Sequence, residues 1–352
     1  MKTISIHPPA HQASEYPVLI GKDLLKQIPA LIKDADRVAI VHDARMKELA
    51  LSVSQNLKEA TLISVASGEA SKTMSEAQRL CGEFLKAGLS RKSAVIAVGG
   101  GMLTDIAGFA ASVYQRGIKV IHIPTTLLAM VDAAVGGKTA VDLGHAKNMI
   151  GTIHQPAAIV MDIATLASLP KTALAEGLVE SVKMAAILDD DAFVWMEKNL
   201  PAILKRDEGV GARHALPLLE CIARSVEMKA AVIEEDERET GKRMLLNFGH
   251  TVGHAVEALS HFAIPHGQAV SIGMACEMRM AQMPEAGRVL TLLNMMEMPT
   301  EIPAEQKTDA LWELMTKDKK NSDGFVRMAV PDAIGHGSVK TITKDLFSRC
   351  RS

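Results

Sequence analysis

The sequence predicts an α/β first half built on a parallel sheet, followed by an all-α second half. Three observations carry that expectation. In the first half, short β-branched runs alternate with stretches of helical spacing. The run A-V-I-A-V (94–98) is apolar throughout, as a strand covered on both faces must be, and it leads straight into three glycines. From about residue 165 onward the apolar period becomes 3.6 and strand signals almost vanish.

In order along the chain, M-K-T-I-S-I-H at the N-terminus reads as a strand and not as a basic region leading a signal core. V-L-I (18–20) is a strand, and 23–33 a helix. R-V-A-I-V-H-D (37–43) is a strand ending on Asp43, T-L-I-S-V (61–65) another, and 73–89 has the Ala, Leu and Phe spacing of a helix. After 94–98 comes a helix from Thr104 to Arg116, then the strand V-I-H-I (120–123). Strands separated by helices of this length pair in parallel, with helices on both faces. Helical periodicity then fills 172–188, 211–235, 244–259, 267–282 and 303–316. The boundary falls near 160, close to Pro156 and Pro170, giving domains 1–160 and 161–352 that pack across a cleft.

Composition narrows the function. Lys plus Arg (39) nearly balances Asp plus Glu (41), which argues against nucleic acid held by bulk charge. An anionic ligand must be met by local cations. Four cysteines (Cys81, Cys221, Cys276, Cys350) are widely spaced with no CxxC pair, as in a reduced, cytoplasmic protein. No apolar run approaches the roughly 18 residues of a membrane span. Aromatics are 3% and methionines 20, so the core is aliphatic and Met-filled.

The chemistry gathers in 239–270. A helix from about Met244 to Leu259 would put Asn247, His250 and His254 on one face, since residues three and four apart are helical neighbours. His266 follows in P-H-G-Q-A-V. Three imidazoles in one short segment can supply two or three ligands to a zinc-like ion. Glu176, Glu180 and Lys183 share another helix face and offer a carboxylate to complete it. The run A-V-G-G-G-M-L-T-D (97–105) suits a phosphate cradle at a helix N-terminus, although it is not GxGxxG. Asp43 and Glu69 could accept ribose hydroxyls, and Lys72 could meet phosphate. G-G-K-T (136–139) looks like a Walker A loop, but Ala133 stands where that loop requires glycine, so an ATPase is rejected. Lys138, Lys147, Asn148, Lys229, Glu239, Arg243 and D-K-K-N (318–321) complete a set suited to a small anionic substrate beside a metal and a dinucleotide.

Taken together, G-E-A-S-K (68–72), G-G-G-M-L-T-D-I-A-G-F (99–109), Y-Q-R-G (114–117), P-T-T-L-L-A-M-V-D-A-A-V-G-G-K-T-A-V (124–141), K-N-M-I-G (147–151), E-G-L-V-E-S-V-K (176–183), D-E-R-E-T-G (236–241), L-N-F-G-H-T-V-G-H-A-V-E (246–257) and P-H-G-Q-A-V (265–270) resemble the 3-dehydroquinate synthase family, in order and over nearly the whole chain. The resemblance implies a Rossmann-like NAD domain, a helical metal- and substrate-binding domain, and a homodimer. The implied reaction converts 3-deoxy-D-arabino-heptulosonate 7-phosphate to 3-dehydroquinate and phosphate in the shikimate pathway. It proceeds by transient NAD-mediated oxidation, phosphate elimination, re-reduction and intramolecular aldol closure. Carried over residue by residue, Glu180, His250 and His266 would bind zinc or cobalt, and His254 with Glu239 would move protons. Lys138, Asn148, Lys183, Lys229, Arg243, Asn247, Lys319 and Asp132 would hold substrate, with Arg116 lent to the neighbouring subunit. Asp43, Glu69, Lys72, Gly100, Gly101, Met102, Asp105, Thr125, Thr126, Lys147, Thr165 and Ser168 match NAD contacts. Thr104, Ala133, Ala134, Glu176 and Gln268 depart from the usual family residues, and none of them removes a ligand or a substrate cation. Rival readings are another sugar-phosphate cyclase, a metal-dependent alcohol or glycerol dehydrogenase of related fold, and a non-catalytic nucleotide-binding scaffold.

Overall fold

A computed structural model describes residues 15–144, 146–205, 215–316 and 326–349. The N-terminal strand expectation, Lys319 and Cys350 lie outside the described residues. The first half contains β1 (Val18–Gly21), α1 (Ile28–Leu31), β2 (Val38–Asp43), α2 (Lys47–Gln55), β3 (Thr61–Val65), α3 (Met74–Lys86), β4 (Ala94–Gly99), α4 (Gly101–Val113), β5 (Lys119–Pro124), β6 (Lys138–Leu143), β7 (Ala146–Ile153) and β8 (Ala158–Asp162). Helices α5 (Lys171–Leu188), α6 (Asp190–Leu204), α7 (Ala215–Glu235), α8 (His250–Leu259), α9 (His266–Ala281), α10 (Ala286–Met295) and α11 (Thr308–Thr316) follow. The hairpin β9 (Val326–Ala333) and β10 (His336–Ile342) and the short α12 (Lys344–Arg349) end the described chain.

Six strands form one parallel sheet in the order β1-β8-β5-β4-β2-β3. In β2 the pleat sends Ala39 and Val41 into a core with α3 and α4, while Val38 and Ile40 enter the opposite core with α1 and α2. That two-sided burial is why this strand reads as an unbroken apolar run. The chain goes from β2 outward to β3 and then returns across β2 to β4. The strand order therefore reverses between β2 and β4, and ligands of open α/β sheets bind beyond the carboxyl ends at such a switch. Asp43 ends β2 and Gly99 ends β4, so both candidate cofactor stretches stand at that point.

The antiparallel pair β6–β7 is a separate hairpin beside the sheet; β6 buries Thr139, Ala140 and Val141, while β7 carries exposed and half-buried residues. A third core joins Ile159 and Met161 of β8 to α5, α6, α7, α9 and α10, locking the helix-rich half onto the sheet.

Four element expectations need correction. The helix expected over Met244–Leu259 is broken: Lys242–Asn247 is a 3-10 turn, Gly249 takes a left-handed φ of 78°, and α8 starts at His250. The helix expected from Thr104 starts at Gly101, with Tyr114–Arg116 a separate 3-10 turn. The one expected over 303–316 starts at Thr308. The second half is helix-rich but also carries the β9–β10 hairpin.

His122 on β5 is 3% exposed, and its Nδ1 finds no hydrogen-bond partner among the described residues. Burial, helped by the nearby charge of His154, pushes its pKa down to about 4. The unfolded chain takes up this proton near pH 6.5, whereas the folded imidazole stays neutral down to about 4. Stability is therefore lost as pH falls through that window, by on the order of 3 kcal/mol in total. Urea unfolding of His122→Gln between about pH 7 and about pH 5 is expected to show a shallower loss than the parent; an identical slope would remove His122 as the cause.

Candidate active site

The glycine run at the end of β4 enters α4 with Gly100 as N-cap and no side-chain cap, so the first-turn amides face outward toward the switch point. A Cβ on Gly101 would lie 3.0 Å from that of Ala133, and one on Gly100 would lie 3.2 Å from Thr126 Cγ2. The cradle is lined by backbone because there is no room for side chains, which fits a pyrophosphate approached by N–H groups.

Asp43 accepts hydrogen bonds from Arg45 N (2.9 Å), Arg45 Nη2 (3.0 Å) and Ser67 Oγ. Burial works to raise its pKa, but those bonds outweigh it and hold the carboxylate below its usual range. Lys72 is 3% exposed and donates to Asp105 Oδ2 (2.7 Å) and Asn148 Oδ1 (2.5 Å), with Glu69 at 3.6 Å. Burial raises Asp105 to about 6 against the pull of Lys72. Thr125 N donates to Gly99 O, and Thr126 Oγ1 accepts from Ala129 N, so both threonines border the cradle, next to Met102 in the first turn of α4. Thr165 and Ser168 lie in the 3-10 turn after β8, where Thr165 Oγ1 donates to Asp162 O.

Glu180 and Lys183 are almost completely buried on α5; His250 opens α8 and His266 opens α9. Glu180 Oε1 stands 3.4 Å from His266 Nε2 and 3.7 Å from His250 Nε2. Lys183 Nζ is 2.5 Å from Glu180 Oε2 but off hydrogen-bond alignment, and both carboxylate oxygens lack a hydrogen-bond partner among the described residues. A buried carboxylate in that state is costly unless something else satisfies it. His250 Nδ1–H donates to Phe248 O (3.1 Å), which sets the tautomer that presents Nε2 to Glu180. Burial alone would depress His266, yet Glu180 and Glu257 raise it to about 10, so the site favours positive charge at this spot. One carboxylate and two imidazoles whose donor atoms lie within 4.8 Å of one another suit zinc or cobalt.

A second grouping, His254, Glu257 and His266, meets the same distance test. Its carboxylate, however, is already engaged by Lys147 Nζ (2.7 Å) and His266 Nδ1 (3.5 Å), and its His254 is exposed. The burial of Glu180 and His250, against the exposed His254, makes the first grouping the better ion site. His254 packs its ring 5.1 Å from that of His250, beside the site.

Cations surround this group. Lys229 Nζ donates to Asp132 Oδ1 (2.5 Å) and to the Asp132 carbonyl (2.6 Å). Burial would raise Asp132, but Lys229 and Lys183 hold it well below the usual carboxylate range. Asp132 sits in a π-helical turn, Ala129–Ala133, a distortion that recurs at functional sites. Arg243 is 2% exposed; it donates to Glu237 O and Gly136 O, while its Nε has no partner among the described residues. Glu239, at a left-handed φ of 61°, takes Lys138 on one oxygen and Asn247 on the other. Asp236 fixes that turn by accepting from the amides of Thr240, Gly241 and Arg243.

The candidate residues thus form two neighbourhoods, and two of them stand in the other's company. Asn148, expected with the substrate set, lies against Lys72 and Asp105. Lys147, expected with the cofactor set, reaches Glu257 beside the metal group. Asn247 meets Glu239 and does not share the α8 face. Arg116 is exposed with φ 68°. Sequence reasoning gave no role to Asp236, Glu257 or Glu277. Glu277 is a fully buried α9 residue whose carboxylate accepts from Gly249 N (2.5 Å) and Val252 N (3.3 Å), capping α8 from its neighbour. The spacing His250, His254, Glu257 on one helix was the signal available for Glu257.

Residues 62–176 match the family described as 3-dehydroquinate synthase N-terminal, and residues 177–321 its C-terminal counterpart. The chain is 40% identical over 338 residues to the 3-dehydroquinate synthase of Sulfurisphaera tokodaii, covering 92% of this chain and 91% of that one. It is 38% identical over 332 residues to that of Symbiobacterium thermophilum, covering 90% and 91%. Among solved structures it resembles a 2-epi-5-epi-valiolone synthase from Streptomyces hygroscopicus subsp. jinggangensis with NAD+ and Zn2+ bound (TM-score 0.85, 26% identity, 98% of each chain). It also resembles a 2-deoxy-scyllo-inosose synthase complexed with carbaglucose-6-phosphate, NAD+ and Co2+ (TM-score 0.83, 26% identity, 95% of each chain). A probable glycerol dehydrogenase from Sinorhizobium meliloti shares the fold at 16% identity and TM-score 0.67. With both halves of the family matched over residues 62–321, the chain belongs to the 3-dehydroquinate synthase family.

Proposed function

We propose that the protein converts 3-deoxy-D-arabino-heptulosonate 7-phosphate to 3-dehydroquinate and phosphate, in a cytoplasmic homodimer divided near residue 160. The observation that carries this reading is the buried Glu180 carboxylate, which faces both His250 and His266 and is paired with Lys183, with Lys229 bound to the neighbouring Asp132. When bound, NAD supplies a transient hydride acceptor and zinc or cobalt a Lewis acid for the substrate's hydroxyls.

The chain's own residues do the positioning. Asp43, Glu69, Lys72, Gly100, Gly101, Met102, Asp105, Thr125, Thr126, Thr165 and Ser168 hold the dinucleotide beyond the strand ends. Lys138, Lys183, Lys229, Arg243 and Asn247 neutralise phosphate and carboxylate and orient the hydroxyls, exchanging their present carboxylate and, for Arg243, backbone carbonyl partners for the substrate's. Glu239 and His254 move protons at the rim, where His254 is open to solvent. Arg116, already exposed, serves the neighbouring subunit's site. Incubating the protein with NAD+, zinc or cobalt and the heptulosonate phosphate is expected to give equal amounts of phosphate and dehydroquinate with no accumulation of NADH. Net NADH formation would instead favour a dehydrogenase.

Lys138 offers a sharper check, because half its side chain is exposed and its loss costs the fold little. Losing one charge-assisted contact to phosphate corresponds to about 1.5–3 kcal/mol, so Lys138→Ala is expected to lower kcat/KM by roughly ten- to a hundredfold, mostly through KM. An unchanged KM and turnover would show that the residue does not hold phosphate.

A further inference from the structure

Glu257 is 3% exposed on α8, next to the metal group but outside it. Its Oε2 lies 3.5 Å from His266 Nδ1, and its Oε1 accepts from Lys147 Nζ at 2.7 Å. His266 therefore stands between two carboxylates at nearly equal reach, Glu180 at Nε2 (3.4 Å) and Glu257 at Nδ1. Lys147 belongs to β7, in the hairpin beside the sheet, and its ammonium rests 4.6 Å from the centre of the Phe262 ring just past α8. A continuous chain, Lys147–Glu257–His266–Glu180, runs from the first half of the protein to the ion site.

We infer that Glu257 is a positioning residue for His266, anchored by Lys147: it holds the proton on Nδ1 and aims Nε2 at the ion site. An imidazole binds a metal through one nitrogen only if the proton sits on the other, and a carboxylate facing that second nitrogen fixes tautomer, ring direction and basicity together. A carboxylate tethered only by its own flexible stem would do this poorly. Buried, and gripped at its other oxygen by an ammonium that is itself seated on an aromatic ring, Glu257 has little freedom left. The inference rests on reading Glu180, His250 and His266 as the metal group.

The test is titration of the metal-free protein with Co2+ against a competing chelator, following the visible cobalt spectrum, with His250→Ala run in parallel. Glu257→Gln keeps an oxygen acceptor but removes the charge. It is expected to weaken Co2+ binding ten- to a hundredfold and to shift the cobalt bands, while NAD+ affinity stays as in the parent. Lys147→Met, which leaves Glu257 in place but loosens it, is expected to weaken Co2+ by a few-fold and to shift the bands in the same direction. Parental affinity and spectrum in Glu257→Gln, with Co2+ binding lost in His250→Ala, would overturn the role of Glu257 and leave the metal group standing. Parental Co2+ binding in His250→Ala as well would instead overturn the metal group itself. Should Glu257→Gln not fold, Lys147→Met decides, and an unchanged affinity and spectrum there would equally refute the inference.

Discussion

His250→Ala is expected to abolish turnover while leaving the protein folded and able to bind NAD+. The imidazole is one of three donors at a buried position, where Lys183 pairs with Glu180 Oε2 and Oε1 faces the two imidazoles. Losing that donor removes several kcal/mol of charge stabilisation at the reacting hydroxyls, a fall of at least about a thousandfold in turnover. Elemental analysis should show metal content dropping in step. The companion variant is His254→Ala. It should also turn over slowly, through loss of a proton-transfer group, yet retain its metal, because the exposed His254 stands outside the buried group of Glu180, His250 and His266. The reverse pattern, with metal lost in His254→Ala and kept in His250→Ala, would move the ion to that second grouping and sink the present assignment.

Much of this was legible in the sequence, and the parts that were not have physical reasons. The parallel sheet announced itself because strands such as β2 and β4, buried on both faces, carry apolar runs, with the polar His42 and Asp43 confined to the carboxyl end of β2. The glycine cradle was visible because so close an approach at Gly99–Gly101 excludes side chains. The β6–β7 hairpin was not seen: β7 has no buried face to set an apolar alternation, and G-G-K-T at the entrance of β6 reads as a phosphate loop when taken alone. The expected helix through Asn247 breaks at Phe248–Gly249, after a 3-10 turn. L-L-N-F-G-H keeps helical spacing, but Gly249 turns left-handed, and even a Cβ there would lie 2.8 Å from the Val270 carbonyl. Spacing alone made His250 and His254 the natural chelating pair; the resemblance pointed instead to His266 with Glu180. The geometry supports that choice for a reason no local pattern holds, namely that Glu180 arrives from α5 and turns one oxygen to both imidazoles. Glu277 was equally hidden, since a cap supplied from the neighbouring helix leaves no mark on the helix it caps.

The same contact between the two histidine helices yields the largest expected loss of stability, in Gly273→Ala. A Cβ on Gly273 would lie 1.8 Å from the Gly249 carbonyl oxygen, 2.7 Å from its carbon and 2.9 Å from Gly253 N. All three are backbone atoms, so no side chain can swing aside. On the facing helix, a Cβ on Gly253 would meet the Ala269 carbonyl at 2.9 Å, so α8 and α9 are in backbone contact along this stretch. Relief requires the helices to separate, which would break the Glu277 cap on Gly249 and shift His250 away from Glu180. Overpacking of this kind costs about 1–3 kcal/mol where side chains can adjust, and a rigid backbone clash belongs at or beyond the upper end. Gly273→Ala should therefore lose about 3 kcal/mol or more in urea unfolding, and weaken Co2+ binding in whatever fraction still folds. Gly82→Ala is the matched control. It lies inside α3 with nothing within 4 Å of the added carbon, so helix propensity alone should stabilise it by about 0.5–1 kcal/mol. If the two substitutions gave the same change in stability, the close approach of α8 and α9 would not be what holds His250 in place.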